Sequence, residues 1–179
     1  MKTFLLTLFL TIILLACSES TDPVYDNDFA TIDSLDLKSA IGLANEWKFT
    51  RSKISSHITP NELIIEFPDG RKIIKTIPQN ERYVAIAPYA TKTHDCSTHY
   101  PSSCDGELKE QNFTVTAKDT KGNLLFSGNQ TTMKNGFFEL WFPRNLTINL
   151  HVEYNSLTAD EIIGTFDNNK TCITTVMLK

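Results

Sequence analysis

The stretch Thr147-Ile-Asn-Leu-His-Val-Glu-Tyr154 alternates polar and apolar side chains without interruption. Side chains along a β-strand point alternately to the two faces of a sheet. One predicted face therefore carries Ile148, Leu150, Val152 and Tyr154. His151 lies on the opposite face and is predicted to be exposed. The pattern indicates a strand of an antiparallel sheet that packs one face on a core.

Similar strand patterns recur on both sides of this stretch, separated by turn signals. We predict strands over 63–67, 71–77, 83–87, 113–117, 123–126, 136–142, 161–166 and 171–178. The first two form a hairpin around Pro68-Asp-Gly70. Short strands with turns at intervals of about ten residues are typical of an antiparallel sandwich.

Three details between Phe113 and Tyr154 carry a resemblance. They are a tight turn at Gly122, the corner Lys134-Asn-Gly-Phe-Phe138 and a strand that ends in Phe142-Pro143. This run resembles the small β-sandwich modules of the transthyretin or carboxypeptidase-regulatory type. The predicted fold class is mainly β, an antiparallel β-sandwich, with a short N-terminal helical segment.

The helical segment is predicted over residues 32–59. Asp33-Ser34 is a good N-cap pair. The apolar residues that follow recur at helical spacing and predict a helix over 35–48, with Leu37, Ala40, Ile41, Ala44 and Trp47 on one face. We expect this helix to dock on the β domain or on a second copy of the chain.

The N-terminus has the pattern of an export signal. Lys2 gives a positive start, and residues 4–16 are apolar apart from two threonines, too short a run for a membrane span. The run ends in Leu14-Leu-Ala-Cys17, which resembles the lipobox of bacterial lipoproteins, whose cysteine carries the lipid. This predicts a signal peptide over 1–16, a palmitate-bearing Cys17 and a tether over 17–31. We expect an anchor on the periplasmic side of a membrane, the outer one in a Gram-negative cell because Ser18 follows Cys17.

Export places the protein where disulfides form and persist. Of the 4 cysteines in the chain, lipidation removes Cys17, so an odd number remains and at least one thiol has no intramolecular partner. Loss of Lys2 from 17 basic residues leaves 16 against 21 acidic ones, a net charge of −5. That balance gives no electrostatic reason to bind nucleic acid, and membrane contact is expected only through the lipid.

Two thiols and two imidazoles fall in one polar connection over about 90–106. They are His94, Cys96, His99 and Cys104. A connection of this length is usually functional or disordered. Cys172, near the C-terminus, can join them only if the last strand passes beneath the loop. Thiolate and imidazole are the ligands that soft and borderline metals select, copper and zinc above all.

Three functions are compatible with these residues alone. The first is a disulfide-stapled lipoprotein binding or adhesion module without metal. Its Cys104–Cys172 disulfide would stabilise the fold by about 4 kcal/mol. A metal site explains the odd thiol count; zinc would use a closed Cys₃His set, whereas Cu(I) accepts two or three soft ligands. The third is metal-free thiol–disulfide exchange. Two thiols that close to a disulfide also release two electrons, enough to reduce two Cu(II) to Cu(I).

Four segments carry a more specific pattern. They are Ala87-Pro-Tyr-x-Thr-x-Thr-His94-x-Cys96-x-x-His99-x₄-Cys104-x-Gly-Glu-Leu108, Lys134-Asn-Gly-Phe137, Trp141-x-Pro-Arg144 and Thr171-Cys-x-Thr-Thr-Val-Met-x-Lys179. Together they resemble the signature of the periplasmic copper-binding CueP family. The likeness extends from Ile32 to the last residue and keeps all three cysteines of the mature chain.

The resemblance implies an extracytoplasmic copper-resistance protein with a copper-binding domain over 60–179. Copper would bind to Cys96, Cys104 and Cys172, with His94 and His99 as auxiliary metal ligands. The same cysteines would reduce Cu(II) to Cu(I), a thiol-dependent cupric reductase activity that needs a thiol–disulfide reductant. The resemblance also implies transfer of copper to a periplasmic Cu,Zn superoxide dismutase and a V-shaped homodimer joined at the helical segment. The lipobox is a departure, because soluble family members have an ordinary cleaved signal.

Overall fold

A computed structural model describes residues 22–179. The predicted signal peptide, the lipidation site Cys17 and the first residues of the predicted tether lie outside this range. Within it, no helix is long and apolar enough to cross a bilayer.

Two helices open the described chain after a 3₁₀ turn at Pro23–Tyr25: α1, Asp26–Ser34, and α2, Leu37–Thr50. The helix predicted over 35–48 is α2. It begins after Asp36, whose carboxylate accepts a hydrogen bond from the Ser39 backbone N–H at 3.0 Å and so satisfies a free donor of the first turn. Its buried face carries Ala40, Ile41, Ala44, Asn45 and Trp47.

Helix α1 corrects the prediction of a tether that extends to residue 31. The segment is polar, but Tyr25 and Phe29 pack their rings on Phe67, at centroid distances of 6.2 and 5.2 Å. Ile32 is fully buried. Arg71 also pairs with Asp26 at 2.9 Å. These contacts with a distant part of the chain stabilise a helix that local composition does not predict.

The first sheet has the order β1-β2-β3 and comprises Ser55–Ile58, Glu62–Glu66 and Lys72–Thr76. Strands β2 and β3 are the predicted hairpin, and Gly70 takes a φ of 89° in its turn, which favours glycine. Strand β1 corrects the prediction of a helical segment that continues to residue 59. Helix α2 ends at Thr50, and β1 pairs antiparallel with β2 and buries Ile58.

The other two sheets form the predicted sandwich. One has the order β10-β4-β7, with β4 at Glu81–Ile86, β7 at Phe138–Pro143 and β10 at Cys172–Ile173. The other has the order β6-β5-β8-β9, with β5 at Asn112–Asp119, β6 at Leu124–Thr131, β8 at Thr147–Tyr154 and β9 at Leu157–Gly164. Ile148, Leu150 and Val152 of β8 lie in the core between them, as predicted. The mainly β antiparallel fold is confirmed.

The C-terminal strand is shorter than predicted. Only Cys172–Ile173 forms a strand, and it pairs parallel with β4, with Cys172 opposite Ala85. Beyond it the Met177 backbone N–H bonds to the Thr175 carbonyl at 2.9 Å, a local turn that interrupts the ladder before Met177 pairs in parallel with Tyr89.

The sheet β10-β4-β7 is the central layer of the molecule. Val84 and Ile86 face the sandwich core. Tyr83 and Ala85 face a second core, shared with the helices and the first sheet. Cys104 and Cys172 also belong to this second core. The helical segment and the first sheet therefore cover the side of the central sheet on which the cysteines lie.

Candidate metal centre

The connection between β4 and β5 begins with an anchored turn. The Glu107 carboxylate accepts hydrogen bonds from the backbone N–H groups of Ala90 and Thr91, at 2.7 and 3.0 Å, and from the Thr91 hydroxyl. The Thr91 hydroxyl and then its N–H lower the pKa of Glu107 to about 2. Thr93 donates its hydroxyl to the Thr174 carbonyl at 2.7 Å. The predicted long loop is therefore fixed at its start to the C-terminal segment.

The Thr171 hydroxyl joins three segments beneath the loop. It accepts a hydrogen bond from the His99 backbone N–H at 2.9 Å and donates one to the Ile58 carbonyl at 2.7 Å. The Ile58 N–H in turn bonds to the His99 carbonyl at 2.8 Å. The Thr171 N–H bonds to the Ser97 carbonyl at 2.9 Å. Strand β1, the loop and the residue before Cys172 thus form one hydrogen-bonded unit.

Cys104 lies at the end of a tight turn. Its backbone N–H bonds to the Tyr100 carbonyl at 2.8 Å, and the Tyr100 N–H points at the Cys104 sulfur at 3.3 Å. From α2, Lys48 donates to the Cys104 carbonyl at 2.7 Å and pairs with Asp105. The turn is therefore fastened to the helical segment.

Gly106, two residues after Cys104, lies where there is no room for a side chain. The Gly106 N–H bonds to the Asn135 carbonyl at 2.6 Å, and a Cβ on Gly106 would lie 2.5 Å from the Gly136 carbonyl oxygen. Only glycine permits this approach of two backbones. The contact seats the Cys104 turn against the strand that begins with Phe138.

The five predicted ligand residues meet at one place in two overlapping sets. The ligand atoms of His94, Cys96 and Cys104 all lie within 4.8 Å of one another, and so do those of His99, Cys104 and Cys172. We call these the outer set and the inner set; Cys104 belongs to both. Cys96 Sγ and Cys104 Sγ are 3.6 Å apart. All three cysteines of the described chain are free thiols.

The two sets differ sharply in exposure. His94 is exposed and Cys96 is half-buried. Cys104 is 8% exposed, whereas Cys172 and His99 are 0% exposed. An open depression of about 600 Å³ leads from solvent to the outer set, with His94, Cys96 and Cys104 among its lining residues. Access to the inner set is therefore through the outer one.

Cys104 is the sulfur most ready to ionise. The Cys172 thiol, and then the Cys96 thiol, interact with it and hold the pKa of Cys104 well below its ordinary range. Cys104 in turn raises the pKa of Cys96 to about 12, and Cys104 and then Cys96 raise the pKa of Cys172 above its ordinary range. The Tyr100 N–H at 3.3 Å favours the same arrangement, because a backbone donor stabilises a thiolate. A thiolate at the shared position suits a cation.

His99 is the unusual member of the site. Its ring lies 4.8 Å from the Phe137 ring and 6.1 Å from the Tyr83 ring. Neither ring nitrogen has a hydrogen-bond partner among residues 22–179. A buried polar group without a partner costs about 1–3 kcal/mol. A metal ion held by a ring nitrogen would offset that cost.

The remaining histidines lie elsewhere. His151, predicted to be exposed, is partly covered on the outer face of β8, where it pairs with Asp160 at 2.8 Å and Glu153 at 3.3 Å; Asp160 foremost raises its pKa. His57 on β1 stacks near the Tyr100 ring at 5.6 Å. Asp95 pairs with Lys170 at 3.2 Å and is not among the ligand sets.

Sequence reasoning missed the residues that support the ligands. Thr171 and Lys48 position the loop, and the Tyr83 hydroxyl, beside His99, donates to Glu139 at 2.8 Å. Of these supporting residues, only Thr171 could have been suspected from the sequence, because it is next to Cys172. Two buried thiols and a buried imidazole, with a more accessible third thiol, form a donor set of the kind that soft and borderline metals such as copper and zinc select.

Known proteins match this chain over most of its length. A model of the family described as "Periplasmic copper-binding protein CueP" matches residues 42–177, a range that includes all five candidate ligands. The structure described as "Crystal Structure of S.CueP" matches with a TM-score of 0.78 at 28% identity, covering 89% of this chain and 100% of that one. Among curated protein sequences, none matched.

Proposed function

Because the chain belongs to the family of the periplasmic copper-binding protein CueP, we propose that it binds copper through Cys96, Cys104 and Cys172, with His94 and His99 as further ligands. The observation that carries the proposal is the pair of ligand sets that share Cys104. The three free thiols support copper binding, since a permanent disulfide between two of them would leave one thiol to bind the metal. Soft sulfur ligands favour Cu(I) over the harder divalent ions.

The same thiols supply the electrons for cupric reduction. Two Cu(II) ions each accept one electron, Cys96 and Cys104 lose two protons to solvent, and a sulfur–sulfur bond forms. Two Cu(I) ions result. A thiol–disulfide reductant outside the cytoplasm must then return two electrons and two protons before the thiols can bind copper again.

Three further features complete the proposal. The sequence Leu14-Leu-Ala-Cys17 supports a lipid anchor at Cys17, with palmitate, on the outer membrane. Only residues 18–22 separate Cys17 from the 3₁₀ turn at Pro23. A recipient such as a periplasmic Cu,Zn superoxide dismutase would have to reach the anchored protein. Dimerisation through the helical segment stays a prediction of the resemblance.

Anaerobic titration of the reduced protein with Cu(II), in the presence of a Cu(I)-specific chromophore, tests the proposal. We expect Cu(I) to appear with loss of two thiols for every two ions reduced. The matched control is the triple variant Cys96→Ser, Cys104→Ser, Cys172→Ser, which should give no Cu(I). Intact thiols and no Cu(I) in the unmodified protein would refute cupric reduction. No retention of copper supplied as Cu(I) would refute binding.

A further inference from the structure

The two ligand sets differ in their exposure to solvent. The outer set contains the exposed His94 and the half-buried Cys96. The inner set contains Cys172 and His99, both fully buried. Cys104 is the one ligand common to the two sets.

An ion arriving from solvent meets the outer set first. The depression over the site is lined by His94, Cys96 and Cys104, but Cys172 and His99 are not part of its lining. Strand β10 lies beneath the loop, because the Ser97 carbonyl accepts hydrogen bonds from the N–H groups of Thr171 and Cys172 at 2.9 and 3.4 Å. Solvent therefore has no direct route to the inner ligands through this depression.

The inner set is the better place to retain Cu(I). It combines two sulfurs with an imidazole whose two nitrogens lack any other partner within the described chain. The rings of Phe137 and Tyr83 border that imidazole. Burial excludes the water and oxygen-donor ligands that compete for copper at the surface. Metal binding also offsets the free-energy cost of burying the His99 ring nitrogens without a hydrogen-bond partner.

We propose that copper is captured by the outer set and then passes to the inner set, with Cys104 bound to it throughout. The inference rests on the proposed copper binding and assigns an order to the ligands. The ion stays Cu(I) in this step: its bonds to His94 and Cys96 break, and bonds to His99 and Cys172 form. The proton that Cys172 gives up goes to the departing Cys96 sulfur, so charge is conserved.

The geometry makes the transfer short. A metal–thiolate bond is about 2.3 Å long, so two metal positions on the same sulfur are at most about 4.6 Å apart. The ligand atoms of each set already lie within 4.8 Å of one another. The copper ion can therefore move between the sets without release to solvent, by exchange of ligands around a fixed Cys104.

The rate of Cu(I) loading tests the capture step. Reduced protein is mixed under nitrogen with a coloured Cu(I)–chelator complex, and loss of the colour is followed by stopped flow. His94→Gln should slow loading about fivefold or more while the final Kd for Cu(I) changes less than about twofold. His151→Gln, a histidine on the outer face of β8, is the matched control and should load at the unmodified rate. Loading of His94→Gln at the unmodified rate would overturn the order.

The rate of release tests the retention step. Cys172→Ser and, separately, His99→Leu should bind Cu(I) at the outer set but lose it to a competing chelator at least about tenfold faster. Circular dichroism shows whether each variant is folded. Because each variant removes a different ligand of the inner set, each tests the retention step independently of the other. Release as slow as in the unmodified protein from both folded variants would overturn retention by the inner set. Failure of the unmodified protein to bind Cu(I) would instead refute the proposed function.

Discussion

The sulfur atoms of Cys96 and Cys104 lie 3.6 Å apart, and Cys96 is the more exposed of the two. Cys172, whose sulfur lies within 4.8 Å of the Cys104 sulfur, is fully buried. A soluble oxidant therefore reaches the Cys96–Cys104 pair first. Closure of this pair to a disulfide would leave Cys172 and His99 in place as ligands.

This relationship predicts which disulfide Cu(II) produces. After anaerobic addition of two equivalents of Cu(II), peptide mapping should show a Cys96–Cys104 disulfide and an intact Cys172 thiol, alkylated only after unfolding. Cys172→Ser should form the same disulfide, and Cys96→Ser should not. A Cys104–Cys172 disulfide as the main product would show that the buried pair is the electron donor.

Replacement of His99 should separate stability from copper affinity. His99→Leu removes two buried nitrogens that have no hydrogen-bond partner among residues 22–179, so the metal-free protein should gain about 1 kcal/mol in free energy of unfolding. The Kd for Cu(I) should weaken at least about tenfold, since a direct ligand is lost. Urea unfolding and competition with a Cu(I) chelator measure the two quantities.

His57→Leu is the matched control for this variant, because His57 is half-buried on β1 and outside both ligand sets. Its free energy of unfolding should change by less than about 0.5 kcal/mol and its copper affinity should not change. A loss of stability in His99→Leu would mean that the imidazole is held by an interaction other than a metal.

The Thr171 hydroxyl should be essential to the site although it is not a ligand. Thr171→Val conserves volume but leaves the His99 N–H and the Ile58 carbonyl unpaired in a buried position. We expect a loss of about 2 kcal/mol in free energy of unfolding. Thr147→Val, at an exposed position on β8, should change it by less than about 0.5 kcal/mol. Equal effects of the two variants would contradict the role of this hydroxyl.

Glu107 should make the loop sensitive to acid. Its hydrogen bonds lower its pKa from the ordinary 4.5 to about 2 in the folded protein. A carboxyl with a lowered folded pKa stabilises the fold above its unfolded pKa, and that stabilisation is lost as pH falls from 4.5 towards 2. Urea unfolding at several pH values should show the loss, and Glu107→Gln should lack that component. If Glu107→Gln showed the same pH dependence as the unmodified protein, the loss of stability at low pH would be due to other groups.

The sheets were largely predictable because alternation records which face of a strand is buried. The Ile148, Leu150 and Val152 face of β8 follows directly from that rule. Helix α1 was not predictable, because its stabilisation comes from Phe67, far along the chain. The parallel pairing of Cys172 with Ala85 was equally invisible, since it depends on a distant partner strand.

The candidate ligands could be proposed from residue types and spacing, but their division into two sets could not be predicted. His99 and His94 lie in the same polar loop and look alike in sequence. Burial of His99 depends on its bridge to Ile58 and on the Thr171 hydroxyl, both contributed by other segments. Whether a loop histidine is solvated or enclosed is set by such long-range contacts, which composition does not encode.

Competitive titration with Cu(I) is the most direct test of copper binding at this site. Fully reduced protein and the Cys104→Ser variant are each titrated under nitrogen against a coloured Cu(I) chelator of known affinity. We predict that the unmodified protein withdraws Cu(I) from the chelator and that Cys104→Ser, which damages both ligand sets, binds at least about a hundredfold more weakly. Equal affinity of the two proteins for Cu(I) would contradict the assignment of the copper site.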